Sequence, residues 1–131
     1  MRIAKNFRLW KLSDVLTICL LGISVVAFGQ TKKLTTAEAK DHIGEQATVC
    51  GRVAGTRYAE TTRGKPTFLN LDKPYPSQLL TVLIWGDHRE KFGNPEEKYR
   101  DKQVCATGKI TEYRNAPEIV VSDPQNIEVQ K

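Results

Sequence analysis

The sequence predicts an all-β fold: a five-stranded Greek-key barrel, with one short helix between its third and fourth strands and another on its N-terminal side. Three observations carry that expectation. Two segments, Gly44–Val53 and Arg100–Ile110, nearly copy each other; each opens on a charged turn. Each ends on the pattern apolar-x-Gly-basic-apolar, as Val49-Cys50-Gly51-Arg52-Val53 and Ala106-Thr107-Gly108-Lys109-Ile110. Between them lie two short strand-like runs, Pro66–Asp72 and Leu79–Trp85. A polar, helix-forming piece separates the third run from the fourth, and a last short run, Pro117–Ser122, follows.

The chain opens on a segment that reads as a signal peptide over residues 1–29. Arg2, Lys5, Arg8 and Lys11 precede an uncharged apolar run from Val15 to Phe28, and Ala27-Phe28-Gly29 supplies small residues before a cut at Gln30. The run is about 14 residues, short of the roughly 20 that span a bilayer, so cleavage is favoured over anchoring. Leu16-Thr17-Ile18-Cys19 argues against lipid attachment, because Ile18 is bulky where a small residue is wanted. The protein is therefore expected to be exported, periplasmic or secreted, with no membrane attachment after cleavage.

Residues 30–43 are expected to form a leader and a short helix, and residues 44–131 the barrel domain. Thr35-Thr36-Ala37-Glu38 is a capping box, and Gly44 is the stop. The first strand should run from about Gln46 to Tyr58, with Gly51 and Gly55 allowing the coiling that closes a small barrel. Ala59–Lys65 is a polar loop, Thr67–Leu71 the second strand, and Asp72–Gln78 a connection stiffened by Pro74 and Pro76. Leu79–Trp85 is the third strand. Asn94-Pro95-Glu96-Glu97 starts the intervening helix: an N-cap residue, proline at the first helical position, then acids on the positive end of the dipole. Gln103–Tyr113 is the fourth strand, Arg114-Asn115-Ala116 a hairpin turn and Pro117–Ser122 the fifth; Ile127 and Val129 tack the tail to the barrel. This order of strands and helix is that of an OB barrel, a binding scaffold with a known working face.

Charge supplies little toward an anionic partner. The first 29 residues hold four of the 20 basic residues and one of the 15 acidic ones, leaving 16 against 14, a net charge of +2. Any polyanion site must come from local clustering. Of the three cysteines, Cys50 and Cys105 lie beyond residue 29, an even pair that suggests a disulfide in an oxidising compartment. Strand parity agrees. With Val49 and Val53 inward, Cys50 points outward; with Val104, Ala106 and Ile110 inward, Cys105 does too. In an OB barrel the first and fourth strands are antiparallel neighbours. Neither His42 nor His88 has metal-ligand spacing to the cysteines, so no metal or cofactor is expected.

The second and third strands carry the functional expectation. Leu69, Leu71, Leu80, Val82 and Ile84 go inward, which leaves Phe68, Asn70, Thr81, Leu83 and Trp85 outside. Phe68 and Trp85 would stack on bases or sugars. Arg52, Arg57, Arg63 and Lys65 flank them with only Glu60 in opposition, and Tyr113 and Arg114 sit at the other hairpin. An aromatic face with basic flanks suits single-stranded DNA or RNA.

The runs Gly64-Lys65-Pro66-Thr67-Phe68-Leu69-Asn70-Leu71-Asp72, Leu80–Trp85 and Val104–Ile110 resemble the tRNA-anticodon-type OB-fold family of nucleic-acid-binding domains, over about residues 44–122. Bacterial nucleases and class II synthetases carry such domains. The resemblance implies that Phe68 stacks on a base and that Thr81 contacts one. The chain departs from the pattern at Asn70, where the family often has Asp, and at Asp72, where Arg is common. No catalytic set of residues is evident, and a non-enzymatic, monomeric binding protein is expected. The alternative is a periplasmic stress-type OB protein that binds small cations, an oligosaccharide or a protein partner.

Overall fold

The structure is a computed structural model that describes Gly22 and residues 30–131. The signal-peptide expectation, Gly22 apart, lies outside the described residues. No helix among them is long and apolar enough to cross a membrane.

The described residues are mostly β, with seven strands and a few short helical turns rather than five strands. They are β1 (Lys32–Thr35), β2 (Gln46–Tyr58), β3 (Thr67–Leu71), β4 (Leu80–Ile84), β5 (Gln103–Tyr113), β6 (Ala116–Val120) and β7 (Ile127–Val129). Between β4 and β5 lie a 3-10 segment, Gly86–Phe92, and a short helix α1, Pro95–Lys98. The five expected strands are β2 to β6. Pairing runs from β2 through β3, β4, β6 and β5 and returns from β5 to β2. β1 and β7 add to β2 and β5. Inward residues such as Val49, Leu69, Val82, Val104 and Ile119 are fully buried, and Phe92 and Tyr99 of the helical connection join the same core.

The leader is a strand, not a loose segment, and the N-terminal helix reduces to one 3-10 turn at Ala39–Asp41. The capping box does form: Thr35 N donates to Glu38 Oε1 (3.1 Å) and Glu38 N to Thr35 Oγ1 (3.4 Å). The turn that follows has a single buried residue, Ala39, and no apolar stripe to pay for more helix. Leu34 is buried, and β1 runs parallel to β2 with Leu34 opposite Val49. Leu34 thus joins the core while Lys32 and Lys33 stay exposed on an edge strand, where charge discourages further pairing.

Asp72 fastens this segment to the sheet. Its carboxylate accepts from Thr36 Oγ1 and from the backbone N–H of Arg52 (2.9 Å), which leaves no room beside Gly51. A Cβ built on Gly51 would lie 2.7 Å from Thr36 Cγ2 and 3.0 Å from Asp72 Oδ2. Gly51→Ala is therefore expected to cost about 1–3 kcal/mol of stability by overpacking. Urea unfolding checks this; an unchanged midpoint would show that Thr36 swings aside freely.

Two features of the ladder position the candidate site. Cys50 stands opposite Cys105 and the two form a disulfide, so β2 and β5 are stapled where they pair. Beyond the staple the register of β2 shifts between Val53 and Gly55, one extra residue that reverses the alternation. The shift therefore turns Arg57 to the outer face beside Phe68, the face that Cys50 and Arg52 already share further along the strand. The turn between β5 and β6 places Arg114 (φ 49°) and Asn115 (φ 64°) in the left-handed region, the two-residue hairpin geometry that asparagine tolerates.

Candidate nucleic-acid interface

Strand register lines up the outer side chains in rows. Asn70 pairs with Thr81 and Thr81 with Glu118, a polar row across β3, β4 and β6. One step along, Phe68 pairs with Leu83 and Leu83 with Val120, an apolar row that Arg57 of β2 extends. The residues between the rows, Leu69, Val82 and Ile119, are fully buried, so both rows lie on the outer face.

A groove of about 610 Å³ opens over the polar row. The connection Pro74–Gln78 and the β5–β6 hairpin, with Tyr113 and Arg114, both line it. Arg57 and Phe68 line it as well. Asn70 and Thr81 form the floor and are each only 6% exposed, a correction to the expectation that they stand free on the surface. They are buried because the proline-rich connection folds over them and they bond to one another. Gln78 Nε2 donates to Thr81 Oγ1 (3.2 Å), and Thr81 Oγ1 donates to Asn70 Oδ1 (3.4 Å). Gln78 Oε1 is buried with no partner among the described residues. Leu83, also expected outside, is buried, while Phe68 is half-buried.

The electrostatics mix two cations with one shielded acid. Arg57 and Arg114 are exposed, and the Arg114 guanidinium carbon lies 5.2 Å from the Tyr113 ring centroid, a cation–π contact. Burial pushes the Glu118 carboxyl above the usual carboxylate range.

The structure thus gathers Arg57, Phe68, Asn70, Thr81, Tyr113 and Arg114 around one groove. Four other sequence-predicted residues lie elsewhere. Arg52 sits on the stretch of β2 that pairs with β5 and lies 3.5 Å from Asp101. Arg63 and Lys65 sit on the β2–β3 loop, and Trp85, 42% exposed, lies past the end of β4 against that loop. Sequence reasoning missed Tyr75, Gln78 and Glu118. Tyr75 is 71% exposed between Pro74 and Pro76; an aromatic held between prolines was the available signal. Glu118 could have been found as the outward carboxylate of the last strand.

No protein-family model matches the chain, and no curated protein matches it by sequence. Solved structures do. The chain resembles an OBody bound to hen egg-white lysozyme, with a TM-score of 0.54 and 18% identity over 80% of this chain and 99% of that one. It resembles the asparaginyl-tRNA synthetase of Entamoeba histolytica, with a TM-score of 0.53 and 18% identity over 77% of this chain and 24% of that one. It also resembles yeast Stn1 and Ten1, with a TM-score of 0.56 and 16% identity over 79% of this chain and 65% of that one. This chain spans about a quarter of the synthetase's length. At these identities the likeness is one of fold, and with the circuit of pairings it defines the chain as an OB-fold protein.

Proposed function

We propose that the protein is an exported, non-enzymatic binding protein that takes single-stranded DNA or RNA in the groove over β3, β4 and β6. In this reading the closed circuit of β2 to β6 serves as the five-stranded Greek-key barrel, and the Cys50–Cys105 bridge supports an oxidising, extracytoplasmic setting. One observation carries the ligand class: the lining of a single groove combines rings (Phe68, Tyr75, Tyr113), cations (Arg57, Arg114) and hydrogen-bonding groups (Asn70, Gln78, Thr81). Bases need the first and third, and phosphates the second. Kinship of fold with tRNA synthetase domains and with Stn1 and Ten1 is in keeping with that class.

Fluorescence anisotropy with labelled single-stranded DNA and RNA at two salt concentrations tests the reading. Phe68→Ala is expected to weaken binding by about 1–3 kcal/mol at either salt, because stacking is mainly uncharged. Arg57→Ala is expected to lower the salt slope by about 1, because it removes one phosphate contact. A merely basic surface would respond to Arg57 and ignore Phe68. A second reading is a protein ligand, favoured by the large exposure of Tyr75 and Tyr113 and by the lysozyme-bound OBody of the same fold. On that reading neither oligonucleotide binds, even at low salt.

A further inference from the structure

We propose that Glu118 couples the groove to pH: the protein takes up a proton at this carboxyl when an anionic ligand enters, so binding tightens in acid. The inference rests on the nucleic-acid reading of the groove and adds its regulation.

Register puts Glu118 among the groove's polar residues. It stands opposite Thr81 on β4 and Thr111 on β5, and it lines the groove. The side chain is half-buried, and among the described residues its carboxyl enters no ion pair. The Thr111 hydroxyl donates to the backbone oxygen of Glu118 (3.1 Å), not to its carboxyl.

The charged and titratable groups that face it are few. β4 supplies none. β5 supplies Lys109 and Tyr113, two residues to either side of Thr111 and on the same face. The hairpin turn supplies Arg114, β2 supplies Arg57, and the proline-rich connection supplies Tyr75. Lys73 of that connection is exposed and outside the lining. Lys109, Arg57 and Arg114 are exposed, and Arg114 lies against the Tyr113 ring. Water thus serves the cations, while the carboxylate is partly stripped of it. Burial holds the Glu118 carboxyl above the usual carboxylate range.

A bound strand adds two effects of the same sign. It displaces more water from Glu118, and it brings phosphates into a groove where Arg57 and Arg114 attract them. Both disfavour the ionised form. The floor adds a third. Gln78 donates to Thr81 and Thr81 to Asn70, which leaves Gln78 Oε1 buried with no donor among the described residues. Acceptors are therefore in excess, and Glu118, the one carboxyl in the lining, turns from acceptor to donor by gaining a proton. The carboxyl titrates above about 4.3 in the free protein and higher again with ligand bound. Affinity is full below the free-protein value, falls as pH rises between the two values, and levels off beyond the second.

The test titrates oligothymidine, whose bases and phosphodiesters keep one charge state in this range, into the protein and Glu118→Gln by anisotropy at about pH 5 and about pH 7. Affinity of the unaltered protein is expected to rise about tenfold toward the lower pH, within the tenfold per pH unit that uptake of one proton allows. Glu118→Gln is expected to bind at the higher pH as the protein does at the lower, and to lose the dependence. His42 and His88 lie outside the lining and are kept in the variant, so the difference isolates Glu118. Calorimetry in two buffers of different ionisation enthalpy gives a second readout, a net proton uptake on binding that the variant lacks. If the variant keeps the full dependence, if no proton is taken up, or if acid weakens binding, the coupling is refuted and the groove stands. If the strand binds the unaltered protein at neither pH at low salt, the groove reading fails and the coupling with it.

Discussion

Replacing Cys50 and Cys105 together with alanine is expected to lower the unfolding free energy by about 4 kcal/mol. The bridge joins residues 55 positions apart and so closes most of the sheet's circuit in the unfolded chain. The chain-entropy argument assigns a loop of that length its stabilisation through the denatured ensemble. Urea unfolding of the oxidised protein, the reduced protein and the double variant measures it. Reduced protein and variant should agree with each other and fall well below the oxidised form. Thiol counting on denatured, unreduced protein should find neither Cys50 nor Cys105 free. A loss below about 1 kcal/mol would mean that the Cys50–Cys105 ladder pairing already restricts the unfolded chain.

Arg89→Ala is expected to cost about 3 kcal/mol, a value near the low end for breaking a largely buried ion pair. The guanidinium makes a two-pronged bond to Glu96 (2.6 and 2.7 Å), donates to Thr67 Oγ1 (2.9 Å) and lies 3.7 Å from the centroid of the Tyr58 ring. The side chains of Arg89 and Glu96 are only 15% and 19% exposed, so solvent screens the pair weakly. These bonds tie the helical connection to the ends of β2 and β3. The pH dependence follows from Glu96, whose carboxyl is held below its ordinary value chiefly by the hydrogen bonds from Arg89. A carboxyl with a depressed folded-state pKa stabilises the fold above its unfolded-state value, about 4.3, and loses that contribution as pH falls through the folded value. The difference in stability between the protein and Arg89→Ala should therefore be full at pH near 7 and shrink below about pH 4. Equal differences at both pH values would show that the ring and hydroxyl contacts, not the charge pair, hold the connection.

Much of the fold was legible in the chain. β2, β3 and β5 lie where alternation and turn residues put them, and the capping box at Thr35 and Glu38 forms as expected. β1 was not legible. Its one buried residue, Leu34, sits beside two lysines, and nothing local announces that Val49 is its partner. Asp72 read as a departure from a family pattern. Its role in fastening Thr36 and the Arg52 N–H appears only when segments 20 and 36 residues away meet.

The candidate site divides in the same way. The outward parity of Phe68, Asn70, Thr81 and Trp85 was readable, because a strand alternates with period two whatever surrounds it. How they cluster was not. Six predicted residues share the groove because the shift between Val53 and Gly55 turns Arg57 out beside Phe68, while Arg52 stays on the stretch of β2 that pairs with β5, against Asp101. Asn70 and Thr81 are covered by a connection whose path depends on the closed sheet beneath it.

The sequence by itself determined strands β2 to β6, their inward residues and the cysteine pair, since each rests on periodicity within a few residues or on parity between two such runs. Tertiary structure alone decided which outward side chains meet over the groove and which stand apart at Trp85. Those outcomes depend on register, on one bulge and on loops folding across strands, and such long-range contacts leave no period in the chain.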